Sequence, residues 1–285
     1  MDELLKIVLV KNLIKKVPKR LRYRLNRFLY NYNSNKNIGV QLALNYHKNL
    51  KFFLNTKEFI GWNIFFQGSY ETETNKILEE YIKPDYYVIE AGANNGSETI
   101  IIGNILRKGT GKIYAFEPAP LPYKYLTINI ILNDLSGVII PFDILLGEKE
   151  SFEDFYLMTE FEANQGLSSK YSFNGYKKII TKRQTTLDEF IKQEKIERLD
   201  FLKMDIQGSE IDLIEGGFNT LNKYRPIIFT EASNSELSRR GSSIADLYDK
   251  FLSFNYEVFI ISKNSLIPIS NLDQIKEGNW LVKPK

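Results

Sequence analysis

From about residue 85 onward the chain alternates short apolar runs with stretches of helical periodicity. Tyr86–Ala91 (YYVIEA), Lys112–Phe116, Val138–Leu146, Phe201–Ile206 and Pro226–Glu231 read as strands, and Tyr256–Ser262 and Asn279–Val282 as closing strands. Between them Ser97–Leu106, Pro120–Asn133, Thr186–Glu194, Glu210–Leu221 and Ile244–Phe254 read as helices, the third opened by a Thr186-x-x-Glu189 capping box. Asp154–Met158 is a candidate hairpin arm or extra strand. This alternation predicts an α/β, Rossmann-like, doubly wound domain with a mostly parallel seven-stranded sheet covered on both faces. Ligands of such sheets bind just beyond the carboxyl ends of the strands, so chemistry is expected there.

The first part of the chain follows a different pattern. Leu4, Leu5, Val8, Ile14 and Val17, then Leu21, Leu25 and Phe28, fall at helical spacing, and Pro18 divides the run in two. Asn31–Asn37 (NYNSNKN) reads as a linker. The expected division is a basic helical segment over 1–55 and the α/β domain over 56–285. Residues 1–32 hold Lys6, Lys11, Lys15, Lys16, Lys19, Arg20, Arg22, Arg24 and Arg27 against Asp2 and Glu3, while the whole chain carries +3. The basicity therefore belongs to this segment. It reads first as a solvated cap or oligomer contact, with an arm on an anionic membrane surface as the sharper alternative; no nucleic-acid partner is expected.

Composition removes several chemistries. There is no cysteine, and the one histidine is His47, so thiolate sites, histidine dyads and multi-histidine metal centres are excluded. Acid–base work falls to carboxylates, Lys, Tyr or water. No apolar run reaches the roughly 18 residues of a membrane span, and Ile7–Val10 is too short for a secretory signal core. The expected location is cytoplasmic, with contact at the inner membrane surface if the basic arm serves that purpose.

The most informative segment is Tyr87–Ser97, YVIEAGANNGS. A strand ends in Glu90, and Gly92 and Gly96 occupy the turn into a helix. Glycine suits a turn that a ligand approaches closely, where a side chain at 92 would block it, and one that takes a positive φ. The helix start offers free N–H groups to a carboxylate or phosphate. Dehydrogenases show Gly-x-Gly-x-x-Gly at this place. Here the spacing is Gly-x-x-x-Gly behind an acid, which suits a ligand carrying an ammonium group better than a pyrophosphate. The next strand ends in Phe116-Glu117-Pro118, with Glu117 21 residues after Gly96, placed to accept hydrogen bonds from ribose hydroxyls. Asp143, in the third strand run, is the candidate reader of an adenine amino group. Asp205 closes the strand of LDFLKMDIQGSE (199–210), Lys203 lies two residues earlier on the same face, and Glu231 closes the strand after it.

These blocks resemble the FkbM family of methyltransferases over roughly residues 60–235. The likeness is carried by Gly68-Ser69-Tyr70-Glu71, Glu90-Ala91-Gly92-Ala93-Asn94-Asn95-Gly96, Phe116-Glu117-Pro118, Thr186-Leu187-Asp188-Glu189-Phe190 and Lys203-Met204-Asp205-Ile206-Gln207-Gly208-Ser209-Glu210. The family more often has Asp at position 90 and Glu at 207. The second difference removes a charge and weakens position 207 as a metal ligand. The resemblance implies a class I fold, S-adenosylmethionine as methyl donor, and O-methylation of a hydroxyl on a sugar, polysaccharide or natural-product acceptor. It adds Glu71 and Asn94 to Glu90, Gly92, Gly96, Glu117 and Asp143 as cofactor-binding positions.

Methyl transfer from a sulfonium is an in-line displacement in which alignment supplies most of the rate and a base removes the acceptor's proton. Asp205 is the first candidate base and Glu231 the second, with Lys203 holding the acceptor or tuning Asp205. A divalent cation on Asp205 and Glu231 is compatible with this set but not favoured, and no metal ligand is assigned. Two rival classes stay open. A nicotinamide-dependent sugar oxidoreductase should show a third turn glycine and a Tyr-x-x-x-Lys pair, but Tyr171 is followed at that spacing by Gly175. A non-catalytic membrane-associated scaffold does not account for intact glycine and acid positions.

Overall fold

The computed structural model describes residues 41–158, 165–262 and 265–285, together with Val17, Pro18 and Leu21. Apart from those three positions, the basic helices expected over 3–29 and the linker over 31–37 lie outside the described residues.

The parallel part of the main sheet is built from strands buried on both faces. β3 (Tyr87–Ala91), β4 (Lys112–Phe116), β5 (Ile139–Phe142), β9 (Phe201–Met204) and β10 (Ile227–Ala232) lie in the order β10-β9-β3-β4-β5, all parallel. Beyond β10 come β13 (Gly278–Pro284), antiparallel to both neighbours, then β11 (Tyr256–Ser262) and β12 (Ser265–Pro268). Among the described residues the sheet therefore has eight strands where the sequence pattern predicts seven. The eighth, β12, is a four-residue edge strand with one half-buried residue, and such a strand leaves no alternation to read.

Alternation along the strands feeds two apolar layers. Val88, Ala115, Phe201 and Phe229 point to one face, and Ile89, Ala91, Leu202, Met204 and Ile228 to the other. Each fully buried side chain of this size contributes about 1.5–3 kcal/mol relative to exposure. The first face is covered by α1 (Phe59–Gln67), α2 (Thr72–Tyr81), α3 (Thr99–Leu106) and α4 (Pro120–Leu132). The second is covered by α5 (Leu187–Gln193), α6 (Glu210–Gly216), α7 (Phe218–Tyr224) and α9 (Ile244–Ser253), with the short α8 (Asn234–Leu237) between β10 and α9. The predicted single helix 210–221 is broken at Gly216–Gly217. A Cβ at 216 would strike the carbonyl oxygen of Gly147 and one at 217 the side chain of Leu187, so glycines let the chain bend closely over both. Thr186 caps α5 by accepting from the Glu189 N–H at 3.0 Å.

The run Val138–Leu146 also divides. After β5 the chain leaves the main sheet at Asp143, and Leu145–Leu146 (β6) joins β7 (Ser151–Leu157) and β8 (Lys178–Thr185) in a small sheet of order β6-β8-β7. α1 shows no helical stripe in the sequence because Ile60–Phe66 are buried on every side.

Residues 41–55, expected within the helical N-terminal segment, instead form a hairpin of β1 (Gln41–Tyr46) and β2 (Leu50–Asn55). Asn129 on α4 and Asn133 at its C-cap, four residues apart, stand in for a neighbouring strand at the outer edge of β2. Asn133 Oδ1 accepts from the Lys51 N–H at 2.8 Å and its Nδ2 donates to the Lys51 carbonyl at 2.7 Å. Asn129 does the same at Phe53 (2.6 and 3.2 Å), and its Nδ2 also donates to the Asn95 carbonyl at 2.9 Å, which ties the hairpin to the glycine turn. Among the described residues no helix is long and apolar enough to cross a membrane.

Asn129 is fully buried, so Asn129→Leu strands backbone groups of Phe53 and Asn95. The expected loss is about 1–3 kcal/mol of unfolding free energy, the range for unsatisfied buried polar groups, read by chemical denaturation. A variant as stable as the wild type would remove the clasp from the account of hairpin docking.

Candidate active site

The period of two along a strand places the polar site residues in one row. On the face that carries Val88 and Phe201, the next positions are Glu90 and Lys203, paired in register, and then Gly92 and Asp205 at the strand ends. On β10 the same face carries Phe229, opposite Lys203, and then Glu231, which faces Asn279 of β13. The row crosses from β3 to β13 where α1, α2 and the start of α3 leave space above the sheet.

Two cavities meet there, sharing Gly92, Asn94, Gly166, Asp205 and Gln207. The inner one has apolar walls from Phe116, Ile144, Leu146 and Phe155, with Glu117 at its floor. Glu117 is 7% exposed; its Oε2 accepts from the Asn94 N–H and its Oε1 from the Ala119 N–H, each at 2.8 Å. Burial pushes its carboxyl up to about 7, against the pull of those two N–H groups. Ser209 Oγ, buried in the same lining, has no hydrogen-bond partner in the structure. Lys170 also lines it and is held by Asp212, which takes Lys170, Arg240 and the Tyr171 hydroxyl at 2.5 Å each. Burial opposes the Asp212 charge, but these three donors hold its carboxyl below the usual range.

The outer cavity is lined by Tyr70, Glu71, Glu98, Asp205, Glu231 and Glu236, with Asn279 and Phe229. Lys203, 2% exposed, stands between Glu98 at 2.8 Å and Glu90 at 3.3 Å. Burial works against its charge, but Glu98 and Glu90 hold the ammonium well above its ordinary range. Burial, then Asp205, Glu236 and Glu71, push Glu231 up to about 8. Burial and Asp205 push Glu236 up to about 7. Asp205 Oδ1 accepts from Gln207 Nε2 at 3.0 Å. Three residues of this lining are non-glycines in left-handed backbone: Glu71 (φ 50), Asn94 (φ 50) and Gln207 (φ 54). Such conformations cost of order 1 kcal/mol or more and cluster at functional sites.

The expected positions fall into distinct places. Glu71, Gly92, Asn94, Glu117, Asp205 and Glu231 line the cavities. Gly96 (φ 86) supports the turn from beneath, where a Cβ would press on Leu126. Glu90 is fully buried under Lys203 and reaches neither cavity. Lys203 is committed to the two glutamates rather than to Asp205. Asp143 is 60% exposed and paired with Lys182 at 3.3 Å, because the chain turns out of the sheet there and Ile144 takes the place in the inner wall. Gly92 takes the positive φ expected of the turn (φ 86), and a Cβ there would also collide with the Asp205 carbonyl oxygen, so the glycine lets β3 and β9 close on each other. Glu210 folds back onto the N–H groups of Ile206 and Gly208 at 3.1 Å.

Glu98, Glu236, Gln207 and Ser209 also line the site, and the sequence pattern does not point to them as site residues. Glu98 stands at the N-cap of α3, where an acid reads as a partner of the helix dipole. Glu236 lies in the four-residue α8 beyond the strand tip, where no spacing points back to the site.

Residues 90–258 match the family described as the methyltransferase FkbM domain. The chain is similar to the 2-O-methyltransferase NoeI of Sinorhizobium fredii, 26% identical over 184 residues, covering 60% of this chain and 73% of that protein. It is similar to the hexuronic acid methyltransferase AglP of Haloferax volcanii, 24% identical over 163 residues, covering 55% of this chain and 61% of that protein. Among solved structures, the methyltransferase FkbM of Methylobacillus flagellatus aligns with a TM-score of 0.47 at 14% identity, over 78% of this chain and 52% of that one.

Glu117, Glu231 and Glu236 take up protons at higher pH when folded than the ordinary 4.5. Between 4.5 and about 8 the folded state therefore binds more protons than the unfolded chain, and stability falls as pH rises through that window. The melting temperature of the ligand-free protein should drop from about pH 5 to about pH 8, and Glu231→Gln should flatten the slope. A melting temperature that climbs across the window would contradict these protonation states.

Proposed function

The chain belongs to the FkbM methyltransferase family, and from that membership we propose that it transfers a methyl group from S-adenosylmethionine to a hydroxyl of a sugar or other polyhydroxylated acceptor. Glu117 is the observation that carries this reading: a buried carboxylate with two backbone N–H partners, at the floor of an apolar cavity beside a glycine turn. Its remaining lone pairs suit two ribose hydroxyls. The residues fit the donor in other respects. The inner walls suit a flat base, Ser209 Oγ is buried and unpartnered, and Glu71 and Glu98 offer carboxylates to an ammonium group.

When bound, S-adenosylmethionine supplies an electrophilic methyl group whose C–S bond breaks as the C–O bond to the acceptor forms. The chain's part is alignment and proton removal. Asp205 stands where the two cavities meet, oriented by Gln207 Nε2. It is placed to accept a hydrogen bond from the acceptor hydroxyl and then its proton. Glu231, with its raised proton affinity, is the neighbouring sink. Lys203 keeps Glu90 and Glu98 compensated. The reading needs no divalent cation, because a carboxylate base suffices to take the hydroxyl proton. Family membership sets aside the oxidoreductase and scaffold alternatives. The nine basic residues within 1–32 support peripheral contact of a cytoplasmic enzyme with an anionic membrane surface.

Calorimetry with S-adenosylhomocysteine tests the donor site. The wild type should bind, and Glu117→Gln should bind about 2 kcal/mol more weakly, the scale of charge-assisted hydrogen bonds. Unchanged affinity would take Glu117 out of the ribose site. For the chemistry, Asp205→Asn should lower single-turnover methyl transfer by about 10²–10⁴-fold, the usual contribution of a positioned acid–base group. Affinity for S-adenosylhomocysteine should stay within about twofold. A normal rate in this variant moves the base to Glu231.

A further inference from the structure

The outer cavity is rich in hydrogen-bond acceptors and poor in donors, and this deepens the reading of the site as one for methyl transfer, on which it rests. Glu71, Glu98, Asp205, Glu231 and Glu236 line it, and Lys203 is the one cation among its described lining residues. The Lys203 ammonium is used twice over, by Glu98 and by the buried Glu90. Arg239 moderates Glu236 from outside the lining, with its guanidinium stacked 4.8 Å over the Phe173 ring. Among the described residues, carboxylates thus face this space without lining cations to match them. Burial first, and then mutual repulsion, raise the proton affinity of Glu231 and Glu236. The methionine part of a bound donor, with its sulfonium, ammonium and carboxylate, brings one net positive charge and offsets one of them.

An independent observation points the same way. Gln207 is 6% exposed and lines the cavity, held in left-handed backbone at φ 54. Its Nε2 is spent on Asp205, and its Oε1 has no hydrogen-bond partner. The amide therefore presents an acceptor oxygen that calls for a donor from a ligand. A ligand that satisfies this space brings N–H and O–H donors and positive charge. A carboxylated or phosphorylated group entering it would meet like charge with no cation to compensate it.

We propose that the acceptor is an aminated polyol of the amino-sugar class, whose ammonium group is taken by carboxylates of the outer cavity while a neighbouring hydroxyl meets Asp205. Sugars carrying a carboxylate near the reacting hydroxyl are rejected by the same charges.

The test titrates the full chain, loaded with S-adenosylhomocysteine, with glucosamine, glucose and glucuronate near neutral pH, by ligand-observed NMR. Glucosamine should bind at least about tenfold tighter than glucuronate, with glucose between them. In the double variant Glu231→Gln/Glu236→Gln, which should still bind S-adenosylhomocysteine, the gap should shrink to about twofold. Equal affinity for the three sugars, a preference for glucuronate, no measurable glucosamine binding, or a gap unchanged in the double variant overturns the proposal. A chain that binds S-adenosylhomocysteine but shows no charge preference sinks this inference alone. A chain that does not bind it sinks the donor reading beneath.

Discussion

One ammonium group holds the site in its shape. Lys203 sits in the middle of the parallel sheet, in register with Glu90 on the adjacent strand, and reaches Glu98 where α3 begins. Glu90 and the ammonium are removed from water together, and Glu98 meets the ammonium from the cavity side. Taking away one member of a buried ion pair leaves an uncompensated charge, typically at about 3–5 kcal/mol. The segment between the two glutamates is the glycine turn itself, so the ion pairs hold both of its ends. The turn's N–H at Asn94 is then positioned to hold Glu117.

The same region depends on a close approach that only a missing side chain permits. Gly92 brings the end of β3 against the carbonyl of Asp205, and Gly208 (φ 101) leaves room for the carbonyl of Glu236. Asp205 is thereby fixed between two glycines that contact other segments. Around it, Glu71, Asn94 and Gln207 are held in left-handed backbone by the packing of α2, the glycine turn and the loop after β9. Pre-organisation of this kind serves a reaction whose barrier is lowered chiefly by alignment.

Electrostatics then separates the two cavities. The inner one pairs its charges: Glu117 with backbone N–H groups, and Lys170 with Asp212. The outer one concentrates carboxylates around a lysine already committed elsewhere. A site with apolar walls and paired charges selects by shape. One with crowded acids selects by charge and by donors.

The parallel sheet, the glycine turn and the acids at consecutive strand tips are all legible in the chain before it folds. Those features are local: a period of two, a helix cap and a spacing each leave their mark within some twenty residues. Glu117, Asp205 and Glu231 can be found because strand ends can be found, and the fold rule places ligands there. The all-buried α1 and the edge strand β12 leave no periodic signature, since burial on every side or on none erases it, whereas β2 of the hairpin alternates in burial over a stretch too short to stand out from the segment before it. Which acids share a cavity is settled by packing alone. Glu98 falls at a helix start and Glu236 in a stretch without pattern, while Asp143, credible at a strand end, turns outward to Lys182. Lys203 lies on the face expected of it, but its partners come from β3 and α3, more than a hundred residues away in the chain. Such pairings depend on which strands become neighbours, and that is a property of the assembled sheet.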